Sequence, residues 1–133
     1  MKKFILLVFT LFCANVLSAQ TTLYLRLAPN IWTDGTAARF TVHYWGPDGS
    51  GWADMTNVVA RYYEATVPEG NWTHFLFVRM RADNLVNDWG SQRLHQTADF
   101  AFSSENNLFT VTSWGGFEND AHNNRAGGNW GRI

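Results

Sequence analysis

Ala38-Arg39-Phe40-Thr41-Val42-His43-Tyr44-Trp45 alternates without a break, with Phe40, Val42 and Tyr44 at one parity and Arg39, Thr41, His43 and Trp45 at the other. Successive side chains of a β-strand point to opposite faces. The stretch therefore predicts a strand that buries Phe40, Val42 and Tyr44 and turns a partly polar face outward, with a large aromatic on it. Thr22 to Leu27 repeats the pattern, setting Leu23, Leu25 and Leu27 against Tyr24 and Arg26. His74 to Met80 differs, because Phe75 and Phe77 lie at one parity and Leu76, Val78 and Met80 at the other. A strand that is apolar on both faces belongs in the middle of a covered sheet.

Tyr62 to Val67, Ala98 to Phe102 and Leu108 to Thr112 complete a set of short aromatic and β-branched runs bounded by Gly, Pro, Asn or Asp. Such punctuation marks strands between turns, and no segment offers ten residues of capped helical periodicity. The predicted fold is all-β: a single antiparallel β-sandwich, immunoglobulin-like. Residues 81–97 read as a loop longer than a structural connection needs, and long ordered loops tend to carry function. Residues 115–133 are rich in Gly and Asn and predict a largely loose tail that Trp114, Phe117 and Trp130 could pin back.

Before the first strand, Met1-Lys2-Lys3, an apolar stretch from Phe4 to Val16 and Leu17-Ser18-Ala19 form the three parts of a cleavable signal peptide. The apolar run is too short to span a bilayer, and Phe12 before Cys13 does not suit lipid attachment. The expected organisation is a signal peptide over 1–19, a β-sandwich over 20–114 and a tail over 115–133, in a protein exported by a bacterial cell to the periplasm or beyond.

Past the leader there is no lysine and no cysteine, so disulfides cannot support the fold. Eight arginines against eleven acidic residues leave three net negative charges, which disfavours nucleic acid and anionic membranes as partners. All seven tryptophans lie in this part: Trp32, Trp45, Trp52, Trp72, Trp89, Trp114 and Trp130. Several neighbour Gly, Asp or Asn in turn-like segments, and large apolar rings on loops imply a ligand. Trp72 reads as a packing residue, while Trp52 and Trp89 are the better ligand candidates. His43 and Trp45 share the outer face of their strand.

Sugar fits this set. A pyranose offers C–H groups from one face and hydroxyls around its rim, so it wants a flat ring beneath and amide or carboxylate groups at the edge. Asn84, Asp88 and Gln92, together with Asp83, supply candidate edge groups, although Asn and Asp in loops also cap turns. Two stacked rings and a few hydrogen bonds at about 1 kcal/mol each give dissociation constants of roughly 0.1 to 1 mM. The ligand-binding set read from sequence is His43, Trp45, Trp52, Asn84, Asp88, Trp89 and Gln92.

Taken in order, Ala38 to Trp45, Gly51-Trp52-Ala53-Asp54-Met55-Thr56, Tyr62 to Pro68, Phe77 to Met80, Asn87-Asp88-Trp89 and Gln96-Thr97-Ala98-Asp99 resemble a secreted starch-binding-like module. The resemblance is to carbohydrate-binding module families twenty-five and twenty-six, often attached to amylases, and it covers most of Leu23 to Trp114. It implies a β-sandwich that binds α-1,4-linked glucan, starch or glycogen, without hydrolysing it. It also implies contact with the sugar at His43 of the strand, Trp52 of the following hairpin, and Asp88 and Trp89 of the later loop. The chain departs from the family's starch binders at Thr41, where they usually carry Tyr. The family's usual attachment to an amylase has no counterpart in this sequence, and a separate secreted enzyme is an expected partner.

Other chemistries are weaker. A glycoside hydrolase needs two carboxylates across a cleft, and Asp83 with Asp88 or Asp34 with Asp54 are the available pairs. Ser50 in Gly49-Ser50-Gly51 lacks the spacing of a nucleophile elbow. His43, His74, His95 and His122 show no zinc-site spacing, and the calcium-loop signature is missing around Asp83 and Asp88. The expectation is thus a binding protein without enzymatic activity, cofactor or metal. The competing class is a secreted adhesive domain whose tryptophans pack on a protein partner.

Overall fold

The computed structural model describes residues 19–33 and 37–133. The expected signal peptide falls almost wholly outside the described residues, as does Asp34. Ten strands form the fold: β1 (Thr21–Leu27), β2 (Ala38–Gly46), β3 (Gly49–Asp54), β4 (Thr56–Val59), β5 (Tyr62–Val67), β6 (His74–Arg81), β7 (Arg93–Gln96), β8 (Phe100–Ala101), β9 (Leu108–Val111) and β10 (Gly128–Gly131). A short 3-10 turn, Glu118–Asp120, precedes β10, and no α-helix occurs among the described residues. The strands make two sheets, ordered β10-β9-β1-β5-β4 and β3-β2-β6-β7, with β8 also pairing with β6. The chain is an all-β sandwich.

The alternations seen in sequence become its inner layer. Leu23, Leu25 and Leu27 from β1 meet Phe40, Val42 and Tyr44 from β2 and Phe75 and Phe77 from β6, all buried in one cluster with Phe109 and Val111 of β9. Burying each such side chain contributes about 1.5–3 kcal/mol. β6 lies between β2 and β7, and its other parity, Leu76, Val78 and Met80, forms a second apolar cluster on the far face of the same sheet.

Three expectations need correction. The sandwich is not purely antiparallel, because β1 pairs with β9 in parallel from Tyr24↔Leu108 to Leu27↔Val111. Parallel neighbours need a long crossover, and the whole second sheet lies in the chain between these two strands. The stretch 81–97 is not all loop, since its end forms β7 against β6. Finally, residues 115–133 are built into the sandwich rather than loose. β10 pairs with β9, and Trp130 packs among Phe75, Phe77, Phe100 and Phe109. The burial of that indole compensates for the poor strand propensity of Gly128-Asn129-Trp130-Gly131. Gly128 is required there, because a Cβ would run into the Thr110 carbonyl oxygen.

Four tryptophans serve this scaffold. Trp32 is 1% exposed, stacks on Phe40 at 6.1 Å, and donates its indole N–H to the Trp114 carbonyl at 3.0 Å. Trp114 lies under the buried Arg79 guanidinium, 5.4 Å from its ring centre, and Arg79 Nε donates to the Trp32 carbonyl. Trp72 packs edge-on against Tyr44 and donates to the Pro68 carbonyl at 2.9 Å. With Trp130 in the core, Trp45, Trp52 and Trp89 remain.

Candidate functional site

Trp45, Trp52 and Trp89 all pack on the outer cluster of Leu76, Val78 and Met80. Pairing explains why. In the β2–β3 hairpin His43 stands opposite Trp52, so both side chains rise from the same face. Trp45, two residues along β2, shares that face and stands opposite His74 of β6. The hairpin turns through Pro47-Asp48 into Gly49, whose φ of 110° favours glycine. Asp48 accepts from the Asn71 backbone N–H at 2.8 Å, tying this turn to the loop before β6.

The four rings meet around His43. Its ring centre lies 4.4 Å from Trp52, 5.0 Å from Trp89 and 5.6 Å from Trp45. Trp52 and Trp89 are 4.8 Å apart with planes inclined at 50°, so the rings do not form one flat platform. His74 extends the row by stacking on Trp45 at 5.7 Å. The rings are half-buried, apolar support lying beneath and solvent above. Burial lowers the His43 pKa below its ordinary value, with the Gly51 carbonyl and the Asp99 carboxylate opposing.

Trp89 belongs to no strand, and its position depends on an arginine clamp. Arg39, on the outer face of β2, donates to the carbonyls of Arg81 (3.0 Å), Asn84 (3.2 Å) and Val86 (2.8 Å) and to the Asn87 side chain. Asn87 in turn donates to Asp54 at the end of β3. Past Trp89, Asp88 accepts from the backbone N–H of Ser91 (2.8 Å) and Gln92 (3.3 Å), closing the turn. These bonds, that from Ser91 above all, hold the Asp88 carboxyl below its usual pKa. The Arg93 guanidinium lies 5.6 Å from the Trp89 ring centre, a cation–π contact. Burial, and then repulsion from Arg125, lowers the Arg93 pKa.

Of the seven residues read from sequence, the structure brings together His43, Trp45, Trp52 and Trp89. The other three surround the loop instead of facing the rings as free edge groups. Asn84 caps its own turn, accepting from the Val86 N–H at 2.9 Å. Asp88 is occupied by Ser91 and Gln92, as above. Gln92 is 7% exposed, its backbone carbonyl accepting from the Arg81 N–H and its side-chain amide nitrogen donating to Ser91, while its side-chain carbonyl oxygen is buried with no hydrogen-bond partner among the described residues. Thr41, opposite Val78 in the adjacent strand, is fully buried and donates to the Ala53 carbonyl.

Sequence reasoning missed the polar groups that do adjoin the rings. A depression of about 360 Å³ beside His43, Trp45, Leu76 and Trp89 is also lined by Gln96, Asp99, His122 and Arg125. Gln96 stands opposite Val78 of β6, a member of the outer cluster, but nothing in the sequence marks it as a site residue. His122 and Arg125 arrive from nearly 80 residues beyond β2, and no local pattern announces them. Among the described residues, no group of three or more His, Cys, Asp or Glu side chains gathers as a metal site. No family model, curated protein or solved structure matches the chain.

Proposed function

We propose that the aromatic face of the β3-β2-β6-β7 sheet binds a polysaccharide, an α-glucan such as starch or glycogen, without cleaving it, in a protein exported by a signal peptide. The observation that carries this reading is the convergence of His43, Trp45, Trp52 and Trp89 as half-buried rings on an apolar bed. A core has no use for these rings at a solvent boundary, whereas a sugar covers them through C–H contacts. Their mutual tilt departs from the coplanar row of rings that a flat, cellulose-like chain would need. The resemblance to starch-binding modules points the same way, since His43, Trp52 and Trp89 are the ring positions it implies.

Affinity electrophoresis tests the reading. The protein should be retarded in gels containing amylose or glycogen and not in gels containing xylan or no polymer. The adhesive alternative draws on exposed apolar side chains away from the rings, Val58 and Val59 on β4 and Leu85 and Val86 in the Arg39-clamped loop. Retardation by none of the polymers would favour it.

A further inference from the structure

The depression beside the rings is open, and its lining is of two kinds. His43, Trp45, Trp89 and Leu76 are aromatic or apolar, whereas Gln96, Asp99, His122 and Arg125 are polar. Asp99 lies close enough to His43 for its charge to act on the imidazole. The polar residues are tied to one another and to the sheet. Ala126 bridges Thr97 in parallel and donates its N–H to the Gln96 carbonyl at 2.8 Å, which fastens the C-terminal segment beside the end of β7. Arg125 Nη1 donates to the Thr97 carbonyl (2.8 Å) and to Asp99 Oδ1 (3.0 Å), Nε to the His122 carbonyl (2.7 Å) and Nη2 to His122 Nδ1 (3.0 Å). Arginine only donates, so His122 Nδ1 accepts and its Nε2 carries the ring hydrogen. The Gln96 side-chain oxygen accepts from Arg93 at 2.8 Å, which leaves the amide nitrogen to donate elsewhere.

Once these bonds are made, the hydrogen-bonding capacity left over is mixed. The Asp99 side chain is 51% exposed, and its Oδ2 takes no hydrogen bond among the described residues, so it stays an acceptor. The donors left are the second Nη2 hydrogen of Arg125, the Nε2–H of the exposed His122 and the Gln96 amide. The carboxylate of Asp99 and the guanidinium of Arg125 offset each other in charge. An anion would meet the carboxylate and a cation the guanidinium, whereas a hydroxyl accepts and donates at once and suits both. Hydrogen bonds to charged groups are also the stronger ones.

We infer that Gln96, Asp99, His122 and Arg125 are the hydroxyl-binding edge of the sugar site, taking the rim of an uncharged sugar unit whose C–H face lies on Trp45 or Trp89. The inference rests on the proposed glucan reading and assigns the role that Asn84, Asp88 and Gln92, engaged within their own loop, do not fill. It needs only the hydroxyls that every unit of a glucan carries, internal units included.

Titration of the full, isotope-labelled protein with maltohexaose, read from the tryptophan indole N–H resonances, tests it. Asp99→Ala should weaken binding about tenfold and His122→Ala about threefold, while the same indole signals still shift and the thermal midpoints stay near that of the unchanged protein. Asp99→Asn keeps an oxygen for Arg125 but loses the second acceptor, and it takes the place of Asp99→Ala should that variant fail to fold. A dissociation constant unchanged in either folded variant overturns the hydroxyl-edge assignment while leaving glucan binding intact. No indole shift in the unchanged protein overturns the glucan reading, and this assignment with it.

Discussion

At the scale of residues, the same side-chain type has two fates, and the difference is testable. Trp32 is enclosed and hydrogen-bonded through its indole N–H, so Trp32→Ala should cost about 3–5 kcal/mol of stability, read by denaturant unfolding. Trp52 is only partly buried, packing on Leu76, Val78 and Met80 and beside His43 and Trp89. Trp52→Ala should therefore cost only on the order of 1–2 kcal/mol while abolishing retention by glycogen in affinity gels. A collapse of Trp52→Ala comparable to that of Trp32→Ala would make Trp52 a core residue. His43 gives a pH signature. Its folded pKa lies below the ordinary value of 6.5, so as pH falls through that value the unfolded chain takes up a proton before the folded one. Stability should decline on acidification from pH 7 towards 5, with no contribution from this group above pH 7. His43→Gln should flatten that slope in thermal melts, and an unchanged slope would assign the dependence elsewhere.

At the scale of elements, the site depends on how a hairpin and a loop are fastened. Asp88→Ala frees the Ser91 and Gln92 N–H groups and should weaken glucan binding several-fold by loosening the turn that carries Trp89, as measured by titration. Because the folded Asp88 pKa is depressed, its support is present above the ordinary carboxylate range and lost as pH falls below it. The strands that sequence revealed, β1, β2, β5, β6, β8 and β9, carry β-forming side chains of their own. Of those it did not, β3 and β10 have few to spare: Gly49-Ser50-Gly51-Trp52-Ala53-Asp54 and Gly128-Asn129-Trp130-Gly131 become strands because an adjacent backbone pairs with them. Tertiary pairing overrides weak local propensity there. For the site, parity on β2 and turn chemistry around Trp52 and Trp89 made the rings legible, whereas Asn84, Asp88 and Gln92 looked the same in sequence whether they met ligand or capped a loop. The gathering of Asp99, His122 and Arg125 beside the rings is a product of long-range assembly.

At the scale of the whole molecule, two apolar clusters divide the work. The inner one, between the sheets, holds the sandwich together without disulfides. The outer one, Leu76, Val78 and Met80, is the bed on which Trp45, Trp52 and Trp89 pack. The C-terminal segment serves both, sealing the core with Trp130 and lining the depression beside the rings with Arg125. Deleting residues 115–133 should therefore destabilise the fold, by about 3 kcal/mol or more for loss of the Trp130 packing alone, instead of trimming a dispensable tail. Unfolding of the shortened chain at the same midpoint as the full protein would argue against that integration.

The binding surface itself is tested most directly by sedimenting granular starch from a solution of the protein and measuring what stays in the supernatant. The intact chain should be depleted saturably, with a dissociation constant of roughly 0.1–1 mM. The Trp52→Ala/Trp89→Ala double variant, still folded by its thermal melt, should remain in solution. No depletion of the intact chain, or equal depletion of the double variant, would contradict a sugar platform built from these rings.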